Sequence, residues 1–212
     1  MLDHLLVDII AAIRKSFDEA LLQRQAVEER FQVDVFLGDV SWETSYSLPG
    51  EEQPPRVRAD LSIDWPTWSQ TAYRSWSIGE PRDELPEMLV EVALRIQRLS
   101  GPPAPGSVTG VLPPESPTLA GEPLVRSSIT VEQVHEEAAP LLLGELAGEG
   151  WPPVRWAVEA TYEGSVSFDE ATLEDPSRVR PVVDTLTRWV ASTLVQLADL
   201  PLDFLPPDPD DT

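Results

Sequence analysis

The stretch that decides the fold is Val33-Asp-Val-Phe-Leu-Gly-Asp-Val-Ser-Trp-Glu-Thr-Ser-Tyr-Ser-Leu48. Val33, Val35 and Leu37 alternate with polar or mixed positions, and Val40, Trp42, Thr44, Tyr46 and Leu48 resume the alternation on the opposite parity. A period of two lines one face of a strand. The parity flips across Gly38-Asp39. A two-residue hairpin turn explains the flip, because glycine tolerates the positive φ needed at the first turn position. A bulge in one long strand is the alternative. Val57, Ala59, Leu61, Ile63 and Trp65 continue the alternation, Pro66 interrupts it, and Ala72, Arg74, Trp76 and Ile78 take it up again. Residues 32–79 therefore read as an antiparallel meander with one buried face.

Working outward, residues 2–30 read as a long amphipathic helix: Leu2, Leu5, Leu6, Ile9, Ile10, Ile13, Phe17, Leu21 and Val27 follow helical spacing, with no Gly or Pro between them. A second helix is expected at 83–99, with Leu85, Met88, Leu89, Val92, Ala93, Ile96 and Leu99 on one face, Asp83 as N-cap and Pro86 in the first turn. Residues 101–122 are rich in Pro and Gly and read as a linker or long loop. Thr130-Val-Glu-Gln133 fits a capping box that opens a third helix through Leu146. Trp156 to Tyr162, a turn at Glu163-Gly164, then Val166 and Phe168 read as a hairpin, and 177–199 as the last helix.

The fold class expected is α+β, with antiparallel β-meander and hairpins packed by amphipathic helices. The divisions are a helix–meander–helix half at 1–100, the linker at 101–122, a helix–hairpin–helix half at 123–200 and an acidic, disordered tail at 201–212. Ile63 and Val158, and Pro86 and Pro181, recur at one offset of 95 residues. That offset suggests a pseudo-duplicated unit, against chance matching in a chain with 22 prolines.

Charge and composition exclude several chemistries. The formal net charge is -22, with 37 acidic and 15 basic side chains. Residues 1–100 hold 10 basic and 18 acidic groups and residues 101–212 hold 5 and 19, so both halves are acidic. Nucleic-acid binding needs clustered Lys and Arg, and anionic membranes repel such a surface. With no cysteine and only His4 and His135, thiol chemistry, disulfides and His-rich metal centres are excluded. No G-x-G-x-x-G, P-loop or G-x-S-x-G motif supports a nucleotide cofactor or a serine nucleophile. The N-terminus carries acids where a signal peptide needs basic residues, so a cytoplasmic location is expected.

Among candidate sites, the aromatic cluster Trp65, Trp68, Tyr73 and Trp76 is the most unusual. Such rings bind partners by stacking. The competing explanation, which weighs more, is that they cover the sheet edge or pack beneath a helix. The pairs Glu28-Glu29, Glu51-Glu52 and Glu136-Glu137 are better explained as solvated surface than as acid–base dyads, because adjacent helical residues do not face each other. His135 reads as a surface histidine beside Glu132 and Glu136.

The order helix, antiparallel strands, helix, strands, helix, together with the acidity, resembles bacterial secretion chaperones and the related YbjN-like proteins. Residues 5–65, through Val35-Phe-Leu-Gly-Asp-Val40, resemble small trypsin-co-occurring modules of bacterial conflict systems. Both resemblances rest on topology, and no functional residue is carried over. They imply a chaperone-like, adaptor or immunity-type protein. The expectation is a non-enzymatic binding module that covers a partner protein with a basic surface, without a cofactor, metal or catalytic residue. Alternatives are a structural subunit that forms a homodimer through the first helix, an accessory component of a bacterial defence system, and a carboxylate- or metal-dependent enzyme.

Overall fold

The computed structural model describes residues 4–21, 24, 26–49, 54–81, 84–104, 106–134 and 155–206. The elements are α1 (His4–Leu21), β1 (Val27–Phe36), β2 (Asp39–Leu48), β3 (Val57–Trp65), α2 (Thr67–Ser77), β4 (Glu87–Leu99), β5 (Glu115–Leu119), β6 (Glu122–Val134), β7 (Arg155–Ser167), α3 (Glu170–Glu174) and α4 (Val179–Ala198). The strands form one antiparallel sheet in the order β1-β2-β3-β4-β7-β6-β5. The α+β expectation is met, and the sheet runs unbroken from the first part of the chain into the second.

Alternation decides which face is inside. Val40, Trp42, Tyr46 and Leu48 of β2, Val57, Ala59, Leu61, Ile63 and Trp65 of β3, and Met88, Val90, Val92, Leu94 and Ile96 of β4 are buried on one face. Leu6, Ile9, Ile13 and Phe17 of α1 and Val183, Leu186, Val190 and Leu194 of α4 complete that core. The two helices pack on each other, and Ser16 Oγ donates to Asp184 Oδ1 at 3.0 Å. Phe17 stacks on Tyr46 with ring centres 4.2 Å apart. This burial is the main source of stability.

Several sequence expectations are corrected. The hairpin turn is Leu37-Gly38, with Phe36 paired to Asp39, one residue earlier than expected. The first helix ends at Leu21, and Val27 already belongs to β1. Residues 67–77 form α2 after Pro66, where alternation had suggested a strand. Residues 87–99 are strand β4 and not a helix. Their apolar set satisfies both periods, and pairing with β3 on one side and β7 on the other decides for the strand.

Within 101–122, Val108, Leu112 and Leu119 are buried and β5 joins the sheet, so this segment is not a plain linker. Thr130 to Val134 belong to β6, and the rest of the expected third helix lies outside the described residues. β7 continues straight through Glu163-Gly164. Residues 201–206, expected in a disordered tail, lie along the end of β4. Leu205 N–H donates to the Arg98 carbonyl at 2.7 Å, and Phe204 bridges Leu99. The rest of the tail, from 207, is outside the described residues. Of the pairs at the offset of 95 residues, Ile63 and Val158 both lie buried on strands, whereas Pro86 precedes strand β4 and Pro181 lies inside α4.

Candidate functional site

The aromatic cluster divides. Trp65 is 1% exposed and part of the core. Its indole N–H donates to Ser69 Oγ at 3.1 Å, and that hydroxyl also donates to the Glu87 carbonyl at 2.6 Å and accepts from the Glu87 N–H at 2.8 Å. Tyr73 packs edge-on to Trp65 at 5.6 Å and stacks with Trp76 at 5.9 Å, both half-buried against the core. Trp68 alone presents a large free surface, at 43% exposure. It borders a groove of about 600 Å³ with Leu85, Glu84, Glu87 and Ser167. An indole face beside carboxylates is chemistry that suits an Arg or Lys side chain.

Glu87 belongs to the sheet face opposite the helices, and that face is acidic. In register across it run Gln32, Glu43, Ser62, Glu91, Glu163 and Val125, one from each of β1, β2, β3, β4, β7 and β6. The neighbouring row holds Asp34, Ser41, Asp64, Leu89 and Ser165. Glu91 and Glu163 are directly opposed and both exposed. Partial desolvation by the surrounding sheet face, and then the nearby carboxylates Glu163, Asp64, Glu159 and Glu43, hold the Glu91 carboxyl above its usual range. Two rows along, cations answer the acids: Arg58 pairs with Asp60 at 2.6 Å, and Arg95 with Glu132 at 2.7 Å and Glu159 at 3.2 Å.

No family model, curated protein or solved structure matches this chain.

Sequence reasoning missed Glu43, Glu91 and Glu163. Each occupies a polar position of its strand, which is visible in the sequence. Their alignment depends on register between strands far apart in the chain. Glu28 is engaged structurally, accepting from Arg14 and from Thr44, each at 2.9 Å. Glu51, Glu52, Glu136, Glu137 and His135 lie outside the described residues.

Among the described residues, no group of three His, Asp or Glu side chains is placed to hold a metal, and no helix is long and apolar enough to cross a membrane. A gap of about 30 Å³ between α1, α4 and the sheet is lined only by apolar side chains such as Ile13, Met88 and Leu186. Ligand pockets run to about 300 Å³ or more, so this gap is a packing defect. The stripe of α1 expected to serve a dimer is buried against α4 and the sheet within the chain.

Proposed function

We propose that the protein is a non-enzymatic binding module whose acidic sheet face covers a basic surface of a partner protein. One observation carries this reading: Glu91 stands directly opposite Glu163 in a row continued by Glu43, and its carboxyl is pushed up first by desolvation and then by those neighbouring carboxylates. Like charges facing each other across a strand pair weaken a sheet. Lys and Arg side chains laid across the row would relieve the repulsion, so binding would recover stability that the free protein forgoes. The Trp68 groove, bordered by Glu84 and Glu87, adjoins the same face and suits one basic side chain. An acid–base enzyme is the weaker reading, because Glu91 and Glu163 are exposed and water screens the pair.

The test begins with a partner retrieved from the native host and purified. Its affinity is then measured by calorimetry against rising salt for the wild type and for a Glu43→Gln, Glu91→Gln, Glu163→Gln variant. The expected result is affinity falling about tenfold or more between low and high salt, with a shallower dependence in the variant. An affinity indifferent to both salt and the substitutions would sink the proposal.

A further inference from the structure

We infer that the tip of the β1–β2 hairpin is a preformed apolar anchor for a pocket rimmed by Lys or Arg on the partner protein, an inference that rests on the docking face proposed above. Val35, Phe36 and Leu37 are three consecutive apolar residues exposed at 68%, 75% and 87%. Leu37 has φ 51° and Gly38 φ 96°, so both turn residues have the positive φ that a type I′ turn requires. Asn-Gly or Asp-Gly is what such a turn favours. Leucine there carries backbone strain and, at 87% exposure, gains no packing in return. The fold alone gives no reason for this side chain.

The backbone of the turn is also tied to α2. Asp39 accepts from the backbone N–H and hydroxyl of Thr67 at 2.6 and 2.7 Å, and Gln70 Nε2 donates to the Gly38 carbonyl at 2.8 Å. A side chain at Gly38 would meet Thr67 Oγ1 at 2.9 Å, so α2 presses directly on the turn. Apolar groups carried on a backbone fixed before binding lose less entropy on docking than groups on a free loop.

Charge selects the occupant. By its pairing with Asp39, Phe36 points to the same sheet face as Asp34 and Glu43, so this part of the anchor sits at the end of the acidic rows, while Val35, paired with Val40, lies on the other face of the hairpin. A second copy carries the same formal charge of -22 and is repelled, as is an anionic bilayer. A cation-rimmed apolar pocket matches both the anchor and its surroundings.

The full chain is titrated, with backbone amide NMR as readout, against an amphipathic helical peptide of Lys and Leu, its Lys and Ser counterpart, and phosphatidylcholine vesicles, and is also diluted alone. The Lys–Leu peptide is expected to shift amides 35–39. A Phe36→Thr, Leu37→Asn variant is expected to bind it about tenfold or more weakly. Leu37→Asn alone is expected to raise the melting temperature, because Asn-Gly suits the turn, so weaker binding could not be ascribed to misfolding. The inference is overturned by unchanged affinity in the double variant, or by tip shifts that come with vesicles or with protein concentration. The Lys–Ser peptide separates the two claims. If it binds at the Glu91–Glu163 face while the tip variant has no effect, the anchor fails alone. If neither peptide binds at low salt, the docking face fails with it.

Discussion

The carboxylate of Asp39 caps a helix that begins far along the chain: its Oδ1 accepts from the Thr67 backbone N–H at 2.6 Å and from the Thr67 hydroxyl at 2.7 Å. The first residue of β2 thereby satisfies the first turn of α2, where Pro66 offers no side-chain cap. Hairpin and helix are locked to each other.

This lock predicts an acid-sensitive contribution. The Thr67 hydrogen bonds hold the Asp39 carboxyl below its usual value, and Asp169 and Asp175 are held low in the same way by Thr172 and Ser177. A carboxyl depressed in the folded state stabilises the fold above its unfolded value, about 3.9, and loses that contribution as pH falls through the folded value. Asp39→Ala should lower the melting temperature at pH 7, with the difference closing on acidification below about pH 4. A melting difference that persists undiminished at low pH would contradict the capping role.

Glu91 has the opposite sign. Its carboxyl is held high, so the fold favours the protonated form. That contribution is complete below the unfolded value of about 4.3 and is lost as pH rises through the folded value. Glu91→Gln should therefore leave the protein as stable as the wild type at pH 7 or more stable by a few tenths of a kcal/mol, since water screens the exposed pair. The gain should vanish near pH 4. Denaturant melts at the two pH values check this, and a loss of stability at pH 7 would contradict it.

Gly164 is a packing glycine. It lies opposite Val90 on the core face of β7, where a Cβ would meet Leu124 Cδ2 at 2.8 Å and the Leu124 backbone at 3.4 Å. Gly164→Ala should destabilise by about 1–3 kcal/mol through overpacking. Combined with Leu124→Ala, itself costing about 2–5 kcal/mol, the total should fall short of the sum, because the second change makes room for the first. Strict additivity in urea melts would show that the contact is not shared.

The tryptophans should separate sharply. Trp65→Ala should cost about 3–5 kcal/mol, since the ring is buried. Ser69→Ala should cost about 1–3 kcal/mol by leaving the Trp65 and Glu87 N–H groups without their acceptor. Trp68→Ala should change stability by about 0.5 kcal/mol or less, as expected of a surface position. Equal losses at Trp65 and Trp68 in denaturant melts would remove Trp68 from the candidate surface.

The sequence by itself determined the strands whose apolar residues follow a single period, and the two helices with clean stripes. Val57 to Trp65, Val40 to Leu48, and the buried faces of α1 and α4 are legible because one face of each element avoids water whatever its neighbours are. Only the tertiary structure decided 87–99, 67–77 and 163–164. Met88, Val92 and Ile96 fit a helix and a strand equally well, and hydrogen bonding to β3 and β7 selects the strand. Gly164 looks like a turn until Leu124 fills the space above it. The acidic row is the extreme case. Glu43, Glu91 and Glu163 are remote in sequence, and a shift of one residue in any pairing would turn a strand's glutamate to the other face. Long-range register, which no local pattern encodes, makes them one surface.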